Sequence, residues 1–137
     1  MHETLDKIRK TIEWYEANSA TATIDILLRA RDQLTTWNYF IAEEFAKFNT
    51  SAKVGYGVRK IGIAKEVNKM TKAGETVSKA DSIAIEEKAD IITDEKLNEG
   101  IADSLYVRLK HSGAVIRAME QRIAVLRKEL ENKEDQT

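Results

Sequence analysis

Residues 105–130 read LYVRLKHSGAVIRAMEQRIAVLRKEL, and this stretch carries the strongest periodicity in the chain. Leu105, Leu109, Ser112, Ile116, Met119, Ile123, Leu126 and Leu130 follow alternating steps of four and three for more than three heptads. Such steps keep the side chains on one stripe of a helix. The stripe predicts a coiled-coil seam in which Ser112 is the polar position. Ser112 and Gly113 are expected to mark a close helix crossing or a polar layer that sets the register. The seam is also the expected contact of a homo-oligomer, a dimer or higher.

Working back from the seam, Ser78 and Asp81 have the spacing of a capping box, which predicts a helix start. One helix over 79–131 would be about 80 Å long at 1.5 Å per residue. Thr93-Asp94-Glu95 is a second possible start, so a break near Ile92 stays open. Gly74 is the expected stop of the element before it. The tail 132–137 is expected to fray.

Three further helices are predicted upstream, over 4–17, 20–48 and 58–72. Leu5, Ile8, Ile12 and Tyr15 form the apolar face of the first. Asn18 and Ser19 would stop it, and Ser19 would cap the next. Leu27, Ala30, Leu34, Trp37, Ile41, Phe45 and Phe48 form the face of the second, with Asn49-Thr50-Ser51 breaking it. Residues 52–57 contain Gly55 and Gly57 and are read as irregular, because a glycine in a helix interior costs about 1 kcal/mol. Beyond them, Val58 with Ile61, and Ile63 with Val67 and Met70, are expected to face a core. The fold class is therefore all-α. One domain, 1–137, forms an elongated bundle or hairpin of three to four helices with a long coiled-coil-like C-terminal helix.

Composition agrees with helices and excludes several functions. The 137 residues include no proline and no cysteine. About seven prolines would be average for this length. Disulfide scaffolds are excluded, and two histidines without cysteine cannot build a zinc cluster. No apolar run approaches the roughly 20 residues of a membrane span. The start, MHETLDKIRK, has no signal-peptide apolar region, so a cytoplasmic location is expected. No cofactor and no membrane partner are expected.

The net charge of −1 hides an alternation: residues 51–80 carry +5, residues 81–104 carry −6 and residues 105–130 carry +4. Segments of opposite sign are expected to lie against each other or against a partner's copy. Lys53, Tyr56, Arg59, Lys60, Lys65 and Lys69, with Lys72 beyond them, combine cations and an aromatic ring as phosphate and base contacts do. The same cations could equally pair with the acidic segment. Arg117 and Arg122 are candidate helpers from the second basic stretch. Its Arg108, Lys110, Arg127 and Lys128 would flank the seam as outer charges.

Three possible chemical sites fall short. Gly55-x-Gly57-x-x-Lys60 lacks the third glycine of a dinucleotide fingerprint. Glu87-x-x-Asp90 supplies half of the paired carboxylate pattern of magnesium-dependent nucleotide hydrolases. Glu43 and Glu44 do not complete it, since Ala46 and Lys47 stand three residues on. The acidic run Glu86, Glu87, Asp90 and Asp94 then reads as a solvated face. His111 has no evident catalytic partner. No catalytic or metal residue is assigned.

The C-terminal helix resembles the endings of small helical early-region proteins of bacteriophages and prophages. Tyr106, Leu109, Val115, Ile116, Arg122, Ile123, Leu126, Lys128 and Glu129 carry the resemblance. It implies a phage or bacterial setting and thus the bacterial host cytoplasm. From the residues, the leading expectation is a non-enzymatic helical interaction protein, self-associating through the seam and binding a host or phage protein. The alternatives are a nucleic-acid-binding accessory protein of recombination or replication, and an anti-defence protein binding a host protein or a nucleotide.

Overall fold

A computed structural model describes residues 1–136 and shows an all-α chain. Its helices are α1 (His2–Asn18), α2 (Ile24–Lys72), α3 (Val77–Glu87) and α4 (Ala89–Asp135). Two compact units are built from them. One comprises residues 1–44 and the chain from Leu105 onward, and the other comprises residues 45–104. Helices α2 and α4 each contribute to both.

In the first unit the expected stripes meet within one chain. Leu27 and Leu34 of α2 are 0% exposed and Ile41 is 1% exposed. From α4, Leu105, Val115, Met119 and Ile123 are buried, and α1 adds Ile8 and Ile12. Each fully buried Leu, Ile or Met side chain contributes roughly 1.5–3 kcal/mol of hydrophobic stabilisation. The hydroxyl of buried Ser112 donates a hydrogen bond to the side-chain carbonyl of Asn38 on α2. The Arg122 guanidinium donates from Nε to the Ser19 carbonyl at 3.3 Å and from Nη2 to the Ala20 carbonyl at 3.4 Å. It thereby serves carbonyls at the C-terminal end of α1, which lack helical partners.

The second unit has a different core. Its fully or nearly buried apolar residues are alanines: Ala52 on α2, Ala80 and Ala84 on α3, and Ala102 on α4. Larger residues, among them Phe45, Phe48, Ile63, Val67, Met70 and Ile92, are half-buried around them. Within this unit α2 and α4 run antiparallel. An added Cβ on Gly55 would meet Glu95 Cβ at 3.8 Å, and one on Gly62 would meet Lys88 Cε at 3.2 Å.

Several boundaries differ from expectation, each for a local reason. Asn49–Ser51 do not break α2, and 52–57 is helical. Gly55 there, and Gly62 beyond it, fall on the inner face, where small residues let α4 and Lys88 approach. Helix α2 starts at Ile24 rather than at residue 20, with Thr23 Oγ1 accepting from the Ile26 amide at 3.4 Å. Ser19 instead ends α1. Gly74 is the expected stop: at φ 101° it lets its own amide reach Thr71 O at 3.1 Å and the Glu75 amide reach Met70 O at 3.1 Å.

The stretch 79–131 is not one helix. The break falls at Lys88 (φ −97°, ψ 10°), not near Ile92, with the Lys88 amide bonded back to the Ala84 and Ile85 carbonyls. The N-cap of α3 is Thr76, whose hydroxyl accepts from the Lys79 amide at 3.3 Å, rather than a Ser78–Asp81 box. The tail does not fray from residue 132: α4 runs to Asp135. Thr137, the end of the expected frayed segment, lies outside the described residues.

Candidate interaction surface

The 105–130 seam is largely consumed inside the chain. Leu105, Ser112, Met119 and Ile123 are buried, and Leu109, Ile116 and Leu126 are half-buried. Of the eight positions Leu130 alone is exposed, at 52%. The stripe expected to hold an oligomer thus packs within the first unit.

The basic stretch is divided by the geometry of α2. Arg59 turns inward and forms a two-pronged ion pair with Glu95 of α4, Nε to Oε2 at 2.6 Å and Nη2 to Oε1 at 3.1 Å. The Glu95 side chain is 4% exposed and that of Arg59 18%. Donation from Arg59 holds the Glu95 carboxyl below the usual carboxylate range. The same hydrogen bond raises the Arg59 guanidinium above its ordinary value. Arg59 is therefore committed to its own chain rather than to a phosphate. Arg122 is likewise committed to the α1 end, while Arg117 is exposed.

The remaining cations point outward. Lys53, Lys60, Lys65 and Lys69 are exposed. Lys60 Nζ lies 4.9 Å, and Arg59 Cζ 5.0 Å, from the centroid of the Tyr56 ring. Tyr56 is thus a shared cation–π partner, which favours both cations' positions. The acidic residues Glu86, Glu87, Asp90 and Asp94 are exposed as expected. Among the described residues no group of three or more His, Asp or Glu could hold a metal ion. His111 is exposed and lines a groove in the first unit with Leu5, Ile8, Ile12 and Val107. No helix among the described residues is long and apolar enough to cross a membrane.

One surface feature was not expected. Val58 and Ile61 do not face a core: they are 58% and 60% exposed, and Val54 beside them is 60% exposed. The cause is the phase of α2. The buried line Leu27–Leu34–Ile41 continues by sevens through Phe48 to Gly55 and Gly62. An uninterrupted helix therefore carries that inner face to Ala52, Gly55 and Arg59, and turns Val54, Val58 and Ile61 about 100° away from it. On α4, half-buried Ile101 is offset by about 110° from the Glu95–Ala102 line, and Leu97, 62% exposed, lies further round at about 150°. In an antiparallel pair these two offsets bring both sets to the same side. Apolar residues of α2 and α4 thus flank one open face, with Lys65 on its α2 edge and Asp90 and Asp94 on its α4 edge.

Comparison with protein-family models, with curated proteins and with solved structures gives no match.

Proposed function

We propose that this chain is a non-enzymatic helical interaction protein whose docking face lies on the second unit. The observation that carries this reading is the exposed trio Val54, Val58 and Ile61, spaced as a helix contact stripe and left uncovered. Isolated exposed apolar residues are ordinary. A stripe of three rimmed by charges is the composition of an interaction site.

A photo-crosslinking amino acid at Val58 tests the reading, with the same group at exposed Ser78 as control. Adducts with another polypeptide in cells are expected from position 58 and not from 78. Their absence at both positions would remove the docking face.

A second reading, contact with a nucleic-acid backbone, is supported by the exposed lysines Lys53, Lys60, Lys65 and Lys69 of α2, of which Lys60 lies against the Tyr56 ring. It requires retardation of DNA or RNA at low salt that falls steeply as salt rises. A gel shift without retardation excludes it.

A further inference from the structure

Helices α1 and α2 of the first unit flank an open groove of about 390 Å³, whose residues are distinct from those of the docking face. That volume lies within the range of small-molecule sites, about 300–1,000 Å³. Half-buried Trp14, exposed Ile26 and buried Ala30 supply its apolar lining. The rest comes in two helical rows. Lys10 and Thr11 precede Trp14 by one turn on α1, and Arg29 and Gln33 follow Ile26 at steps of three and four on α2.

Most of these polar groups are unengaged within the chain. Arg29 and Gln33 make no side-chain hydrogen bond or ion pair among the described residues, and neither does the Trp14 indole N–H. The Thr11 hydroxyl is equally free, whereas those of Thr35 and Thr36 in the same unit bond back to their own helix. Lys10 lies 3.0 Å from an Asp6 oxygen in a solvent-accessible pair, which water weakens and another anion can replace.

The lining also has a definite sign, with two cations and no carboxylate. The grooves beside His111 and Leu130 are different: Glu13 and Glu16 line the first, and Asp25 and Glu129 the second. A cationic lining rich in free donors favours an anion. The Arg29 guanidinium suits a phosphate, which it can grip with two parallel N–H donors. The half-buried indole offers a flat apolar surface on which a second ring stacks. Gln33 carries both a donor and an acceptor, as recognition of a base edge requires.

We propose that the α1–α2 groove binds a free nucleotide, its base stacked on Trp14 and its phosphate held by Arg29 and Lys10. Two carboxylates favour a single nucleotide over a strand. Asp6 stands one turn before Lys10 and Asp25 one turn before Arg29, where they oppose the phosphates of a continuing chain.

Fluorescence of a Trp37→Phe chain reports on Trp14 alone, since the protein has two tryptophans. At least one of AMP, GMP, CMP and UMP should quench it with a dissociation constant below roughly 1 mM. The matching nucleoside and inorganic phosphate should each bind about tenfold more weakly or worse. Arg29→Gln should weaken the nucleotide about tenfold and leave the nucleoside unchanged, a split that a merely structural role would not give. Trp14→Phe keeps a ring and should retain binding by calorimetry, whereas Trp14→Leu should lose it with helical content preserved.

No response to any of the four nucleotides at about 1 mM, or a response indifferent to Arg29→Gln, overturns the proposal. So does inorganic phosphate binding as tightly as the nucleotide, which would leave an anion site only. A single-stranded oligonucleotide that binds where the four nucleotides do not would also overturn it, and would favour the backbone contact of the α2 lysines. The docking face on the second unit stands or falls separately, by its own crosslinks.

Discussion

Ser112 of α4 donates its hydroxyl proton to the side-chain carbonyl of Asn38 of α2, inside an otherwise apolar contact. The lone polar position of the seam is thereby satisfied, as a buried polar group must be. Ser112→Ala removes the donor and leaves the Asn38 carbonyl short of a partner. A loss of about 1 kcal/mol is expected, measured by urea denaturation. Asn38→Ala on top of Ser112→Ala should cost less than the two single changes added together. Strict additivity would show that the hydrogen bond contributes nothing.

The two units should differ in local stability. The first buries Leu27, Leu34, Ile41, Met119 and Ile123, whereas the apolar residues fully buried in the second are alanines. Apolar burial per residue is smaller there, so its helices open at lower free energy. Native-state hydrogen exchange should be faster for the α3 amides than for those around Leu34. Leu34→Ala should cost about 2–5 kcal/mol by chemical denaturation. Equal protection across both units would contradict this division.

Acid should weaken the protein partly through Glu95. Its native carboxyl is held below the ordinary range chiefly by the hydrogen bond from Arg59. A depressed native value means the contribution is complete above the unfolded carboxylate range. It fades as the pH falls toward the native value and is absent below it. Glu95→Gln should therefore lower stability at neutral pH and flatten the loss on acidification. Asp6, lowered mainly by Arg9, titrates in the same direction from an exposed site, where salt screens the pair. Repeating the titration at high salt should leave the Glu95 component in place.

The turn after α2 should be sensitive at two positions. Gly74 has φ 101°, so Gly74→Ala should cost roughly 1–2 kcal/mol. Thr76→Ala removes the α3 cap and should cost about 1 kcal/mol. Both are read by thermal denaturation with circular dichroism. Fully native melting of Gly74→Ala would mean that this turn does not restrain α2.

The parts of the fold that were legible in the sequence are those where apolar pattern and packing coincide. The faces of α1 and α2 and the seam of α4 are buried or half-buried largely as their spacing predicts. The second unit was harder to read because its inner face is built from Ala52, Gly55, Arg59 and Gly62, which carry little hydropathy. Glycine propensity predicts a break there, and hydropathy alone points Val58 and Ile61 inward. Extending the seven-residue step from Leu27 to Phe48 onward to Gly55 would have given the correct phase. The Lys88 break has no such signal, since neither glycine nor proline stands there. For the site, the exposed lysines were legible by type. The inward turn of Arg59 depends on Glu95, 36 positions away, and the open stripe depends on helix phase.

The ion pair between α2 and α4 also decides which alignments of these helices are available during folding. An inner face of alanine and glycine is nearly featureless, so the two helices could slide by a heptad with little change in apolar contact. Arg59 and Glu95 make each such slide unfavourable. Sliding one way sets Arg59 against Lys88 and strands Glu95 opposite Ala52. Sliding the other way sets Glu95 against Glu66 and strands Arg59 opposite Ala102. Either error buries a charge beside one of its own sign or beside no charge at all, which costs far more than the correct pairing gains. A single pair of charges thus rejects both neighbouring misfoldings of a contact that its small residues could not align.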